Sequence, residues 1–204
     1  MEAAGRNHTS AQPHLLVVGG GSIGQRHVRN LQNLGAEVDM VEPYRAVLGL
    51  PGRRVYTNLF EALQDEPYQG AIVAVPTHLH AECARPLLEL GVKTLIEKPL
   101  SHTVDGAETW LKPYSRLIRV GYSMRFHPAI QAIGEHLPEI GRVIYAHAEV
   151  GQYLPDFHPG EDYKHWYMAR KEQGGGAILD LSHELDMLQW LVAPVTQADA
   201  FVGH

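Results

Sequence analysis

The chain contains one cysteine, Cys83, so no disulfide can close within it. Stability then has to come from a hydrophobic core, and a reducing compartment is expected, the cytoplasm first among them. No apolar stretch approaches the roughly 18 residues of a membrane-spanning helix, and the opening residues lack the hydrophobic core of a secretion signal. No membrane partner is expected, and Asn7-His8-Thr9 reads as a chance glycosylation sequon. Basic runs are missing too. With 17 Lys and Arg against 23 Asp and Glu, a net charge of −6 speaks against nucleic acid as the main partner. A hydrophobic share of 45% and a charged share of 20% over 204 residues describe a globular chain, long enough for one large domain or one and a half small ones. Residues 1–13, polar and rich in small side chains, read as a flexible leader.

Against these absences stands one organising stretch, LLVVGGGSIG from Leu15 to Gly24. Leu15, Leu16, Val17 and Val18 are apolar without alternation, the pattern of a strand buried on both faces. Val28, Leu31 and Leu34 then recur at helical spacing, and Gly35 supplies a stop. Gly19, Gly21 and Gly24 therefore form G-x-G-x-x-G across a strand-to-helix turn, the context in which that pattern binds a dinucleotide. Gly19 permits the tight turn, Gly21 admits a pyrophosphate, and Gly24 lets helix and strand pack closely. The helix-start amides of Ser22, Ile23 and Gly24 would receive the phosphates. Glu37 to Val41 reads as the second strand, and Glu42 stands about twenty residues past the last glycine, where an acid binds a ribose 2′-hydroxyl. A carboxylate there repels a 2′-phosphate, so NAD is expected over NADP, with nearby Arg45 pulling the other way.

The pattern continues as alternating strands and amphipathic helices. Arg54–Tyr56, Ala71–Val75, Thr94–Ile96 and Leu117–Gly121 read as further strands. Asn58 caps a helix bearing Leu59, Phe60 and Leu63, and Thr77 to His80 open another with Ala81, Ala84, Leu87 and Leu88 turned inward. A third runs from Val104 to Tyr114. This predicts a doubly wound parallel α/β sheet, a Rossmann domain over residues 14–122. Pro76-Thr77 and Glu97-Lys98-Pro99 fall beyond strand carboxyl ends, where such sheets bind ligands. A partly desolvated lysine there can exchange protons, although Glu-Lys-Pro alone reads first as a solvated loop. His78, His80 and Cys83 lack a second ligand pair at zinc spacing, so no metal is expected.

After residue 122 the texture changes, and a second domain is expected over residues 123–204. Ser123 to Pro128 leads to a helix near Ala129–Leu137, and Arg142 to Val150 alternates like a strand with one polar face. Gly151 to Gly176, rich in Tyr, His, Pro and Gly, is a candidate substrate loop. Gly174-Gly175-Gly176 opens a predicted helix with Leu181, Leu185, Leu188 and Val192 on one side and Asp180, His183 and Asp186 on the other. A histidine there can move a proton, oriented by a carboxylate three residues away, or the face is simply solvated.

Taken together, VVGGGSIGQRHVRNL, VAVPTHLHAECARPLLELGVKTLIEKPLS, GYSMRFHP and GGGAILDLSHELDMLQWL resemble, in order, the Gfo/Idh/MocA family of NAD(P)-dependent oxidoreductases. The resemblance runs from Leu15 to about Gly203. It implies a Rossmann domain followed by an α+β domain on an open sheet that commonly makes a homo-oligomer contact. It also implies hydride transfer between nicotinamide and a sugar, inositol or sugar-derivative hydroxyl. By the same resemblance Lys98 contacts substrate and cofactor, His183 is the acid/base with Asp180 beside it, and Pro76, Thr77, His80 and Glu97 line the cofactor crevice. Arg125, His127 and Tyr167 join Lys98, Asp180 and His183 in the expected substrate-binding set. Two departures stand out. Leu179 occupies the place where many members carry an aspartate, and the chain stops while the family's second domain would continue, so that domain is expected to be partial. A non-catalytic dinucleotide-binding remnant is the alternative. A methyltransferase using S-adenosylmethionine would share the glycine loop but explain neither Glu97-Lys98-Pro99 nor the second domain.

Overall fold

The structure, a computed structural model, describes residues 12–43, 49–151, 153–156 and 162–201. Arg45 lies outside the described residues, as does most of the expected leader. Strands β1 (His14–Val18), β2 (Glu37–Val41), β3 (Val55–Tyr56), β4 (Gly70–Val73), β5 (Lys93–Ile96) and β6 (Ile118–Val120) form one parallel sheet in the order β3-β2-β1-β4-β5-β6. That order reverses direction between β1 and β4, which opens a crevice at the carboxyl ends of those two strands.

Both faces of the sheet are apolar because the strands alternate between two helical layers. Leu16, Val18, Val73 and Ile96 meet Ala84, Leu87 and Leu88 of α3 (His80–Glu89) on one face. On the other, Val17, Val38 and Met40 pack with Val28 of α1 (Ser22–Asn33). Pro86 lies within α3 without ending it. Helix α2 (Leu59–Asp65) begins where the Asn58 side chain accepts from the Phe60 amide at 2.8 Å. A wide helical turn over Gly106–Leu111 precedes β6 and buries Leu111. No helix among the described residues is long and apolar enough to cross a membrane.

Beyond β6 the expectations hold less well. Helix α4 (Pro128–His136) is present, whereas residues 142–150 form no strand among the described residues and Ile144 is 94% exposed. Alternation encodes which face a side chain prefers, but a strand exists only where a neighbour supplies its hydrogen bonds. The single helix expected after Gly176 is two: α5 (Ala177–Asp180) and α6 (His183–Leu191), separated at Leu181 and Ser182. The inward face of α6 is also reversed from its apolar stripe. Asp186 is buried, while Leu185 is 51% exposed.

The turn between β1 and α1 brings backbone against backbone at Gly19 and Gly24. Gly19 sits at φ +110, where a Cβ would lie 2.5 Å from the Ala74 carbonyl oxygen. At Gly24 a Cβ would lie 1.8 Å from the Gly19 carbonyl oxygen. Gly24→Ala must therefore push α1 off β1, and we expect an unfolding free energy lower by about 1–3 kcal/mol or more. A urea melt checks this, and an unchanged midpoint would rule the contact out.

Candidate active site

The site assembles along the carboxyl edge of the sheet, beginning with the glycine turn. Among the described residues, a Cβ at Gly21 would meet nothing within 4 Å beyond its own chain neighbours, so they leave the backbone there open to a ligand. The first bond inside α1 runs from the Gln25 amide to the Gly21 carbonyl, which leaves the amides of Ser22, Ile23 and Gly24 without an intrahelical acceptor. Glu42, 5% exposed just past β2, accepts the Gly20 amide at 2.7 Å. An open glycine, helix-start amides without an intrahelical acceptor and an acid at the end of β2 are the features a dinucleotide requires, so these residues fit that cofactor.

On the far side of the crevice, the Lys98 ammonium donates to the backbone carbonyl of Asp180. This carbonyl belongs to the last residue of α5 and lies where the helix breaks, so it has no next turn to accept from. The break also sets His183 at the first position of α6, near enough that the Lys98 charge acts on it. Burial first, and Lys98 second, hold the imidazole below its ordinary pKa. A neutral imidazole is a proton acceptor. His183 Nδ1 is buried with no partner among the described residues.

Three further groups share this environment. Tyr167 is half-buried, and its phenol is pushed up to about 12 by burial and then by the charges of Asp180 and Glu97. Burial also raises the Asp180 carboxyl, against the pull of Lys98 and a Gly176 amide at 3.3 Å. Glu97 goes the other way. Burial alone would raise it, but the His27 side chain, whose Nε2 lies 2.7 Å from Glu97 Oε1, and Lys98 together hold it below the ordinary carboxylate range. The structure thus brings Lys98, Glu97, Tyr167, Asp180 and His183 together.

Other expected site residues stand elsewhere. His80 is 1% exposed, with Nδ1 2.9 Å from the Pro99 carbonyl and Nε2 3.0 Å from that of Val75, so it staples two loops and shows the crevice no surface. Thr77 is buried beneath Gly174, whose Cβ would lie 2.8 Å from that of Thr77. Pro76 remains partly exposed at the end of the segment after β4. Arg125 is committed to Asp186 by two bonds of 2.8 and 2.6 Å, with its guanidinium 5.5 Å from the centre of the Trp190 ring. It clamps α6 to the segment after β6, leaving Asp186 engaged and unable to orient His183. The Tyr122 ring takes that place, edge-on to the imidazole at 5.8 Å. His127 is exposed and caps α4, its Nδ1 accepting from the Ala129 amide at 3.2 Å. Sequence reasoning missed His27 and Tyr122. His27 had a signal, standing one turn past Gly24 on the helix that starts at the glycine loop.

Comparison with known proteins bears on the family and the fold. A family model described as "Oxidoreductase family, NAD-binding Rossmann fold" matches residues 14–117, and one described as "GFO/IDH/MocA C-terminal domain" matches residues 138–204. A putative UDP-kanosamine synthase oxidoreductase subunit of Amycolatopsis mediterranei is 33% identical over 128 residues, 61% of this chain and 34% of that protein. Myo-inositol 2-dehydrogenase from Lactobacillus plantarum superposes with a TM-score of 0.74 at 19% identity, covering 89% of this chain and 56% of the other. The WlbA dehydrogenase from Bordetella pertussis, solved with NADH and UDP-GlcNAcA, gives 0.69 at 20% identity, covering 90% and 60%. These two solved structures establish the fold. The chain spans less than two thirds of the length of all three proteins.

The electrostatics of the pair can be measured directly. His183 should titrate by ring proton and carbon NMR below the ordinary value of about 6.5. Lys98→Met should raise that midpoint, because removing a neighbouring cation makes the imidazolium easier to form. An identical midpoint in the two proteins would mean that Lys98 and His183 do not share a site.

Proposed function

The chain belongs to the GFO/IDH/MocA oxidoreductase family, and from that premise we propose that it transfers a hydride between NAD and a hydroxyl of a sugar, an inositol or a sugar derivative. The observation that carries the reading is the meeting of Lys98 with the Asp180–His183 break, beside a glycine turn that fits a dinucleotide. When bound, the nicotinamide supplies the hydride acceptor or donor. The chain's own residues do the rest. His183, kept neutral, accepts the hydroxyl proton at Nε2 as the carbon is oxidised, and returns it in the reverse direction. The Lys98 ammonium steadies the negative charge that develops on the substrate oxygen. Tyr167, held protonated across the working range, is a donor for a second hydroxyl. Arg125 contributes at one remove, fixing α6 through Asp186. The polyol class is supported by the names of relatives such as inositol 2-dehydrogenase from an Arthrobacter species. A buried Glu42 at the end of β2 favours NAD, since its carboxylate can accept from a free ribose hydroxyl and repels a phosphate.

Two experiments test this. Turnover of a panel of inositols, sugars and nucleotide sugars should appear with NAD, and Lys98→Met and His183→Ala should each lower kcat by roughly 10²-fold or more, with NADH affinity within about threefold. NADH binding in calorimetry without turnover of any panel member would replace the enzyme with a dinucleotide-binding remnant. Separately, Glu42→Ala should weaken NAD more than NADP. Equal losses would remove Glu42 from the ribose site.

A further inference from the structure

We propose that His27 is a positioning residue of this site, acting through Glu97 to tie the helix that receives the cofactor phosphates to the segment that carries Lys98. The proposal deepens the oxidoreductase reading and rests on it. His27 lies in the second turn of α1, and its Nε2 is 2.7 Å from Glu97 Oε1. An ionised carboxylate only accepts, so Nε2 carries the proton. The other carboxylate oxygen of Glu97 accepts the Lys98 backbone amide at 3.3 Å, so one side chain grips both α1 and the lysine's own peptide. Glu97 has little freedom to turn away. Gly121, just past β6, approaches so closely that a Cβ there would lie 3.0 Å from Glu97 Oε2.

Titratable groups face Glu97 from every neighbouring element. They are His27 on α1, Lys98 beside it, His80 on α3, Tyr167 in the 3₁₀ turn of residues 167–169, and His183 on α6. Only His27 and the Lys98 amide make a hydrogen bond to it among the described residues. Removing the imidazole would leave a partly buried carboxylate short of its strongest donor, and such a group takes up a proton at higher pH. Lys98 and His183 would then lose a nearby negative charge at mildly acidic pH. A residue serving only to fill space would produce none of these effects.

The test compares His27→Ala, His27→Gln and His27→Asn in the full chain, each first checked for an unchanged urea midpoint. A glutamine amide nitrogen can occupy the place of Nε2, whereas an asparagine reaches only as far as Nδ1. In His27→Ala the carbon-13 carboxyl titration of Glu97 should move up by at least about one pH unit, a tenfold change in proton affinity. Its kcat should fall about tenfold with the acid limb of the pH profile displaced upward, while NADH affinity stays within about threefold. Glutamine should restore most of each value and asparagine should not. An unmoved Glu97 titration in His27→Ala, or a glutamine variant as impaired as alanine, overturns the proposal. If the wild-type chain turns over no polyol, the oxidoreductase reading fails by itself, and NADH binding then decides the His27 tie. Saturating NADH should shift the Glu97 titration in wild type and His27→Gln but not in His27→Ala, and the same response in all three overturns it.

Discussion

The contact between the Lys98 ammonium and the Asp180 carbonyl is the constraint on which the rest of the site depends. It joins the end of the fifth strand's loop to a helix break that lies 82 residues further along the chain. A carbonyl with no next helical turn needs a donor, and a partly buried ammonium needs acceptors, so each supplies what the other lacks. The Arg125–Asp186 pair holds α6 from another side, and the Tyr122 ring lies edge-on to His183 at 5.8 Å. With the Lys98 contact, a cation is fixed beside an imidazole. Burial first, and that cation second, hold the imidazole below its ordinary pKa.

The behaviour of Asp180 follows from the same geometry. A carboxylate beside a lysine would ordinarily be stabilised in its charged form, yet here burial wins and the group is raised. The reason is that Lys98 spends its short contact on the Asp180 carbonyl, leaving the carboxylate with one amide at 3.3 Å. Glu97, with an imidazole at 2.7 Å, carries the settled negative charge of the site instead. The two carboxyl groups differ in state because they differ in donors, although both are partly buried and both feel Lys98.

Much of the nucleotide-binding half was legible in the sequence because the information for it is local. Apolar runs, a helical period and punctuating glycines placed β2 at Glu37–Val41 with no error, and the other strands within a residue or two. Glu42 and the three glycines followed from spacing alone. The second half depends on pairings that spacing does not record. Arg125 and Asp186 are 61 residues apart, and nothing in SMRFHP announces that its arginine meets a partner before it can meet a substrate. The three glycines at 174–176 suggested the start of one long helix. Instead Gly174 takes φ +82 and Gly176 takes φ +112, which turn the chain over Thr77 before a single helical turn begins. The reversal of α6 has the same origin. An arginine partner that makes two hydrogen bonds outweighs an apolar stripe, drawing Asp186 in and leaving Leu185 out.

The two ends of the sheet show how polarity is used differently in one domain. At the amino end, Asp39 is fully buried, yet its carboxylate accepts from Arg53 at 3.0 and 3.1 Å, from the Arg54 amide at 3.1 Å and from the Tyr68 hydroxyl at 3.2 Å, with His14 at 2.9 Å. Such a network is saturated, so its chemistry is spent on holding β1, β2 and the segment before β3 together. At the carboxyl end the accounting does not close. Among the described residues, the buried side-chain polar atoms without partners are Ser182 Oγ and His183 Nδ1, adjacent in sequence at the start of α6. An unsatisfied buried polar atom costs about 1–3 kcal/mol, and a fold that satisfies Asp39 so fully has no general difficulty in supplying partners. The two atoms left open belong to adjacent residues at the start of α6, next to the break whose Asp180 carbonyl accepts from Lys98, so the cost is local and falls outside the saturated network of the sheet.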